Sequence, residues 1–184
     1  MGYWNTRGLR GSALEDLINL TNDVYKQRHV AIIQKIPTPI TPVELDKEHG
    51  NISRAYFDHA STVDYIGAVQ GIPICFDAKE TTETRLPLQN VHPHQIEFMK
   101  EYEFNGGVAF LLVWFKKTDE YFLLPFKVLK SYWDGAQSGG RKSVPYSAFD
   151  RSLMIFNSNG CPLNYLETLN TYLTMDKIQI DTKH

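Results

Sequence analysis

The chain has 184 residues, enough for one domain with a sizeable core. Hydrophobic content of 42% and charged content of 22% are those of an ordinary soluble globular protein. A formal net charge of −2 excludes a bulk basic protein, so the phosphates of any nucleic-acid partner must meet a local basic patch.

The two cysteines, Cys75 and Cys161, are not in a C-x-x-C spacing, which fits a reduced, cytoplasmic chain. The longest apolar run, Val108 to Phe115, is too short to span a bilayer. Met1 to Ser12 lacks the apolar core of a signal peptide. The acylation-like start Met1-Gly2-Tyr3-Trp4-Asn5-Thr6 and the sequon Asn51-Ile52-Ser53 are read as chance matches. The expectation is a cytoplasmic protein with no membrane partner.

Met1 to Gly11 carries Arg7 and Arg10 and reads as a flexible arm. Ser12-Ala13-Leu14-Glu15 has capping-box spacing and starts a helix. Leu14, Leu17, Ile18, Thr21, Val24 and Tyr25 recur at helical spacing to about Gln27. Glu15 reads equally well as a cap and as an acid near a site. His29 to Ile36 is a strand. Pro37, Pro39 and Pro42 follow, and that density excludes a central strand and favours an extended projection. Residues Pro37 to Phe57 read as an arm that leaves the domain and returns, or as a long surface loop. Connections of this length are usually functional or disordered.

Asp64-Tyr65-Ile66-Gly67 to Cys75-Phe76-Asp77-Ala78-Lys79-Glu80 reads as a β-hairpin turning at Gln70-Gly71, with its charges at the strand ends. Side chains alternate along a strand, so Asp77 and Lys79 share a face. Two carboxylates and an ammonium can bind a divalent metal and activate water. The pattern is short, and a surface salt bridge explains it as well.

Thr81 to Asn90 is a polar connection containing Arg85. Pro93 to Asn105 is a helix begun by proline and ended by Gly106-Gly107. The continuous apolar run Val108 to Phe115 is a central strand covered on both faces. Lys116 to Asp119 is a turn and Tyr121 to Leu124 a strand. Phe126 to Trp133 is a short helix, and Asp134 to Ser143 a flexible basic loop holding Gly139-Gly140-Arg141-Lys142-Ser143. Leu153 to Phe156 is a small strand, and Leu163 to Leu173 a closing helix. His92 and His94 raise a zinc reading, but no histidine or cysteine pair completes a tetrahedral set. The fold class is α/β, a mixed sheet flanked by helices.

The hairpin resembles the PD-(D/E)-x-K nuclease core, with Asp64 as the first acid and Asp77-Ala78-Lys79 as the second half-motif. The wider resemblance is to the RecU family of Holliday junction resolvases. It is carried in order by Leu14-Glu15-Asp16, Lys35-Ile36-Pro37-Thr38-Pro39, Ala55-Tyr56-Phe57, Ser61-Thr62-Val63-Asp64-Tyr65-Ile66-Gly67, Ala78-Lys79-Glu80-Thr81, Pro87-Leu88-Gln89-Asn90, His94-Gln95-Ile96-Glu97 and Gly140-Arg141-Lys142-Ser143. The second acid resembles Glu in better-known members and is Asp77 here, shorter by one methylene.

The resemblance implies a restriction-endonuclease-like fold in one nuclease domain over 1–184, with residues 1–11 as a flexible arm and about 37–57 as a projecting stalk. It implies a homodimer and Mg²⁺-dependent cleavage of four-way DNA junctions in recombination and repair, with Mn²⁺ able to substitute. Asp64 and Asp77 would hold the metal with a backbone carbonyl near Ala78, and Lys79 would orient water and stabilise phosphate charge. Glu15 would reach the metal through water. Gln95 and Thr62 either serve the site or are satisfied loop groups. Arg7, Arg10, Lys35, Arg54, Arg85, Arg141 and Lys142 are candidates for phosphate contact, and recombinase or branch-migration proteins are candidate partners. Two other functions stay open: a non-catalytic junction-binding module, and a related nuclease acting on linear duplex DNA.

Overall fold

The computed structural model describes residues 12–37, 40–46, 49, 51–57 and 62–181. Arg7, Arg10 and the arm over 1–11 lie outside the described residues. Helix α1 (Ala13–Gln27) starts on a complete capping box. The Ser12 hydroxyl accepts from the Glu15 amide at 3.2 Å, and the Glu15 carboxylate accepts from the Ser12 amide at 2.8 Å. These bonds satisfy amides that a helix start otherwise leaves without partners.

The main sheet has six strands in the order β1-β4-β5-β7-β8-β10. They are β1 (Ala31–Lys35), β4 (Tyr65–Val69), β5 (Ile72–Thr81), β7 (Val108–Phe115), β8 (Glu120–Pro125) and β10 (Met154–Ile155). Strands β4 and β5 form the expected antiparallel hairpin, with Tyr65 opposite Phe76. Gln70 and Gly71 both have positive φ, 49° and 88°, as a two-residue type I′ turn requires. Strand β7 joins β5 in parallel, with Asp77 opposite Leu111, and β8 closes antiparallel on β7. The restriction-endonuclease-like expectation is met in this mixed sheet, whose hairpin carries both acids beside a central parallel pair.

Alternation along β5 divides the core in two. Phe76 packs on the face covered by α1 and by α4 (Tyr165–Asp181), among Leu14, Ile18, Phe110 and Tyr165. Rings of Tyr65, Phe76 and Phe110 stack at 4.8 and 5.0 Å between centroids. Each such aromatic contact adds about 0.5–1.5 kcal/mol beyond burial. Cys75 packs on the other face, with Ile96 and Met99 of α2 (Pro93–Phe104) and Leu129 of α3 (Phe126–Gln137). A small two-stranded sheet lies on this second face. It pairs β6 (Arg85–Pro87) with β9 (Ser143–Pro145) and contributes Leu86 and Val144 to the same core.

The proline-bearing segment forms a separate two-stranded sheet of β2 (Ile40–Asp46) and β3 (Asn51–Phe57). Pro42 therefore sits away from the central sheet, as its missing N–H demands. The chain leaves the main sheet after Lys35 and re-enters at Tyr65, which are paired residues, and the Ile36 amide donates to the Asp64 carbonyl at 2.8 Å.

Three expectations need correction. Asp77 and Lys79 lie well inside the ten-residue β5, not at a strand end, because β5 runs on past the end of β4. Helix α3 continues to Gln137, so the basic loop begins only after it. The Thr81 to Asn90 connection contains β6. Among the described residues no helix is long and apolar enough to cross a membrane. Cys75 and Cys161 are both free and buried.

Candidate active site

Asp77 is fully buried. A buried carboxylate is costly unless it is paired and hydrogen-bonded, and this one is both. Its Oδ1 accepts from the Asp64 amide at 3.0 Å. Its two oxygens accept from Gln95 Nε2, each at 3.0 Å, and Oδ2 forms an ion pair with Lys79 Nζ. Lys79 also donates to Gln95 Oε1 at 3.5 Å. Strand alternation aims Asp77 and Lys79 at the α2 layer, where Gln95 sits in the first turn of its helix.

Asp64 precedes β4, and its Oδ2 accepts from the Ala78 amide at 3.0 Å. The two acids thus bind each other's strands reciprocally. In a strand, a residue's N–H and C=O point to the same side. The Ala78 carbonyl therefore faces the Asp64 side, beyond the last β4–β5 pair, Tyr65 with Phe76. Burial pushes the Asp64 carboxyl up to about 6. The charge of Asp77 and a bond to it push the same way, against the Ala78 amide and Lys79.

Of the residues singled out from sequence, Asp64, Asp77, Ala78, Lys79 and Gln95 are joined in one bonded cluster. Glu15 is not in it: it comes from α1, in the opposite layer, and is occupied by the capping box and by an ion pair with Lys35 at 3.1 Å. Thr62 is half-buried two residues before Asp64 and makes no hydrogen bond to the clustered residues. Among the described residues no three His, Cys, Asp or Glu side chains gather as a metal cluster, and the rings of His92 and His94 stack at 5.4 Å. Of the expected phosphate contacts, Arg54 pairs with Glu44 at 3.6 Å and Arg85 with Glu83 at 2.6 Å. Arg141 and Lys142 are exposed.

Two participants were missed. The His92 amide donates to Gln95 Oε1 at 3.0 Å and orients the whole amide; the signal was there, because His92-Pro93-His94-Gln95 repeats the spacing of a capping box. Glu80 points to the opposite face from Lys79, accepts from the Leu14 amide at 2.9 Å and pairs with Lys116. It ties the start of α1 to the strand that carries the site.

Sheet and cluster together define an α/β protein of the restriction-endonuclease-like class, with a carboxylate pair and a lysine on its central hairpin. A profile of the recombination protein U family, RecU, matches residues 9–171. The chain is 44% identical over 167 residues to the Holliday junction resolvase RecU of Oenococcus oeni, covering 88% of this chain and 85% of that one. It is 37% identical over 173 residues to the RecU of Geobacillus kaustophilus, covering 92% and 84%. Among solved structures, the Holliday junction resolvase Hjc of Archaeoglobus fulgidus aligns with 72% of this chain and 90% of its own, at 8% identity and a TM-score of 0.43. The chain belongs to the RecU family.

Proposed function

We propose that this chain is a divalent-metal-dependent endonuclease that resolves four-way DNA junctions by hydrolysing one phosphodiester in each of two opposed strands. The observation that carries the reading is the bonded cluster of Asp64, Asp77, Lys79 and Gln95 in a RecU family member.

The donor set fits a hard cation. Burial, with the charge of Asp77 beside it, raises the Asp64 carboxyl to about 6, and a divalent ion held by both acids would offset that cost. The Ala78 carbonyl would be a third oxygen ligand, and an all-oxygen donor set suits Mg²⁺, with Mn²⁺ as a substitute. When bound there, the ion would supply Lewis-acid polarisation of the phosphate and a more acidic water. The protein's own groups do the positioning. Gln95 holds the Asp77 carboxylate in one orientation through two bonds from the same nitrogen. Lys79, already beside Asp77, presents its ammonium to charge building on the phosphate. Its second donor contact, to Gln95, keeps that ammonium in the plane of the cluster.

A four-way junction offers two symmetric strands, so a two-fold homodimer supplying one site to each is the arrangement we infer. The β2–β3 hairpin is then the projecting stalk, and the enzyme works in the cytoplasm alongside recombinase or branch-migration proteins. The test is a synthetic junction incubated with Mg²⁺. Paired symmetric nicks are expected, and Asp77→Asn and Lys79→Ala should lose them. Tight binding with no cutting at any Mg²⁺ concentration would point to a binding module instead, and faster cutting of linear duplex of the same sequence to a different nuclease.

A further inference from the structure

Beyond the end of β5 the chain builds a cavity of about 420 Å³, lined by Thr82, Glu83, Thr84, Arg85, Lys117 and Arg141. Three separate segments supply its cations: the start of β6 (Arg85), the β7–β8 turn (Lys117) and the loop before β9 (Arg141). Each is pinned by backbone hydrogen bonds. The Lys116 amide donates to the Thr81 carbonyl at 2.9 Å, the Tyr146 amide to Thr84 at 3.2 Å, and the Leu88 amide to Lys142 at 3.1 Å. The backbones that carry these cations are therefore anchored around one space.

Charge makes that space distinctive. The whole chain carries −2, yet here three cations face a single carboxylate, Glu83. Glu83 engages only the Nε of Arg85. Lys117 and Arg141 form no ion pair with any described residue. Two threonine hydroxyls complete a lining suited to a tetrahedral anion. Place decides which anion. The β6–β9 sheet lies on the same face of the main sheet as α2, and Asp77 and Lys79 point to that face. Thr82 follows Lys79 by three residues, at most about 10 Å along an extended strand. Neighbouring phosphates of one strand lie about 6–7 Å apart through space, about twice their axial rise, so this spans roughly one to two nucleotides.

We propose that Thr82, Arg85, Lys117 and Arg141 form one pocket for a backbone phosphate of the strand being cut, about one to two nucleotides from the reacting phosphate. The inference rests on the nuclease reading above. It adds Lys117 to the DNA-contacting residues and assigns Arg85 and Arg141 to a single phosphate.

The experiment measures junction binding against salt for the full chain and for Arg85→Gln, Lys117→Gln and Arg141→Gln. Each variant should bind more weakly and lose up to about 0.9 from the magnitude of the log–log salt slope. Lys26→Gln, an exposed cation at the far end of α1 in the opposite layer, should leave both unchanged. A second arm walks a single neutral methylphosphonate through the strand on either side of the cut. One position about one to two nucleotides away should weaken binding by the wild type and not by Arg141→Gln. Wild-type slopes in all three variants, or a flat walk, would overturn the pocket. A flat walk together with a rise in melting temperature on adding inorganic phosphate would reassign it to free phosphate. A wild-type protein that neither binds nor cuts junctions would instead overturn the nuclease reading itself.

Discussion

Gln95 uses both ends of its amide. Its nitrogen serves the two oxygens of Asp77, and its oxygen takes the His92 amide and Lys79. Gln95→Ala removes two bonds from a buried carboxylate and frees Asp77 to swing toward Lys79. A misplacement of about 1 Å costs on the order of 10²-fold in rate. Single-turnover cleavage should fall by about that factor while junction affinity holds, and a variant that cuts at the wild-type rate would show Asp77 to be positioned without it. Asp64 gives a second prediction. Its folded-state value of about 6 lies above the ordinary 3.8. The folded protein thus holds this proton more tightly than the unfolded chain. The stability Asp64 contributes is fully present below about 3.8 and lost as pH rises through about 6. A divalent ion replaces the proton, so Mg²⁺ should raise the melting temperature more at pH 7.5 than at pH 5.5, and EDTA should abolish the difference. An increment independent of pH would mean that the ion binds elsewhere.

The hairpin is the element on which the cluster depends, and its pairing with β1 leaves no slack. A Cβ added at Gly67 would collide with the Ile32 carbonyl and come within 2.8 Å of the Ile33 Cα. Gly67→Ala should therefore push β1 from β4 and destabilise by about 1–3 kcal/mol, read as a lower urea midpoint. An unchanged midpoint would show that the sheet edge can yield. Much of this element was legible from residues alone. The S-x-x-E spacing marked the start of α1, Gln70-Gly71 marked the turn, and the unbroken run Val108 to Phe115 marked the central strand. What stayed hidden had physical reasons. Strands of three residues such as β6 and β9 are too short to show a period of two. Asp134 and Gly135 look like helix breakers, yet α3 runs through them. Glu15 faces Lys35, a long-range pairing that helical spacing cannot reveal. Gln95 was identifiable as a helix-start residue, but its two bonds to Asp77 come from the packing of α2 on β5.

At the scale of the whole molecule, the β2–β3 sheet is an excursion from one point. Its two ends meet at the Lys35–Tyr65 pair and the Ile36–Asp64 bond, and among the described residues β2 and β3 pair only with each other. Replacing residues 38–61 with a short Gly-Ser linker should leave the melting temperature within a few degrees while selectivity for junctions over linear duplex falls. Cleavage of both substrates and a thermal scan check this; a collapse in stability would show that the excursion supports the core.

The order in which the chain is made adds a last consequence. Asp64, Asp77, Lys79 and Gln95 lie within one continuous stretch, and the hairpin closes with a small loop penalty. All four leave the ribosome long before α4. Phe76, next to Asp77, nevertheless packs against Tyr165 at 5.3 Å, and Phe110 does so at 6.4 Å. A nascent chain thus holds the whole Asp64–Asp77–Lys79–Gln95 cluster while the opposite face of β5 still lacks α4. The core under Phe76 and Phe110 is completed only when α4 arrives, after the acids and Gln95 have already been made.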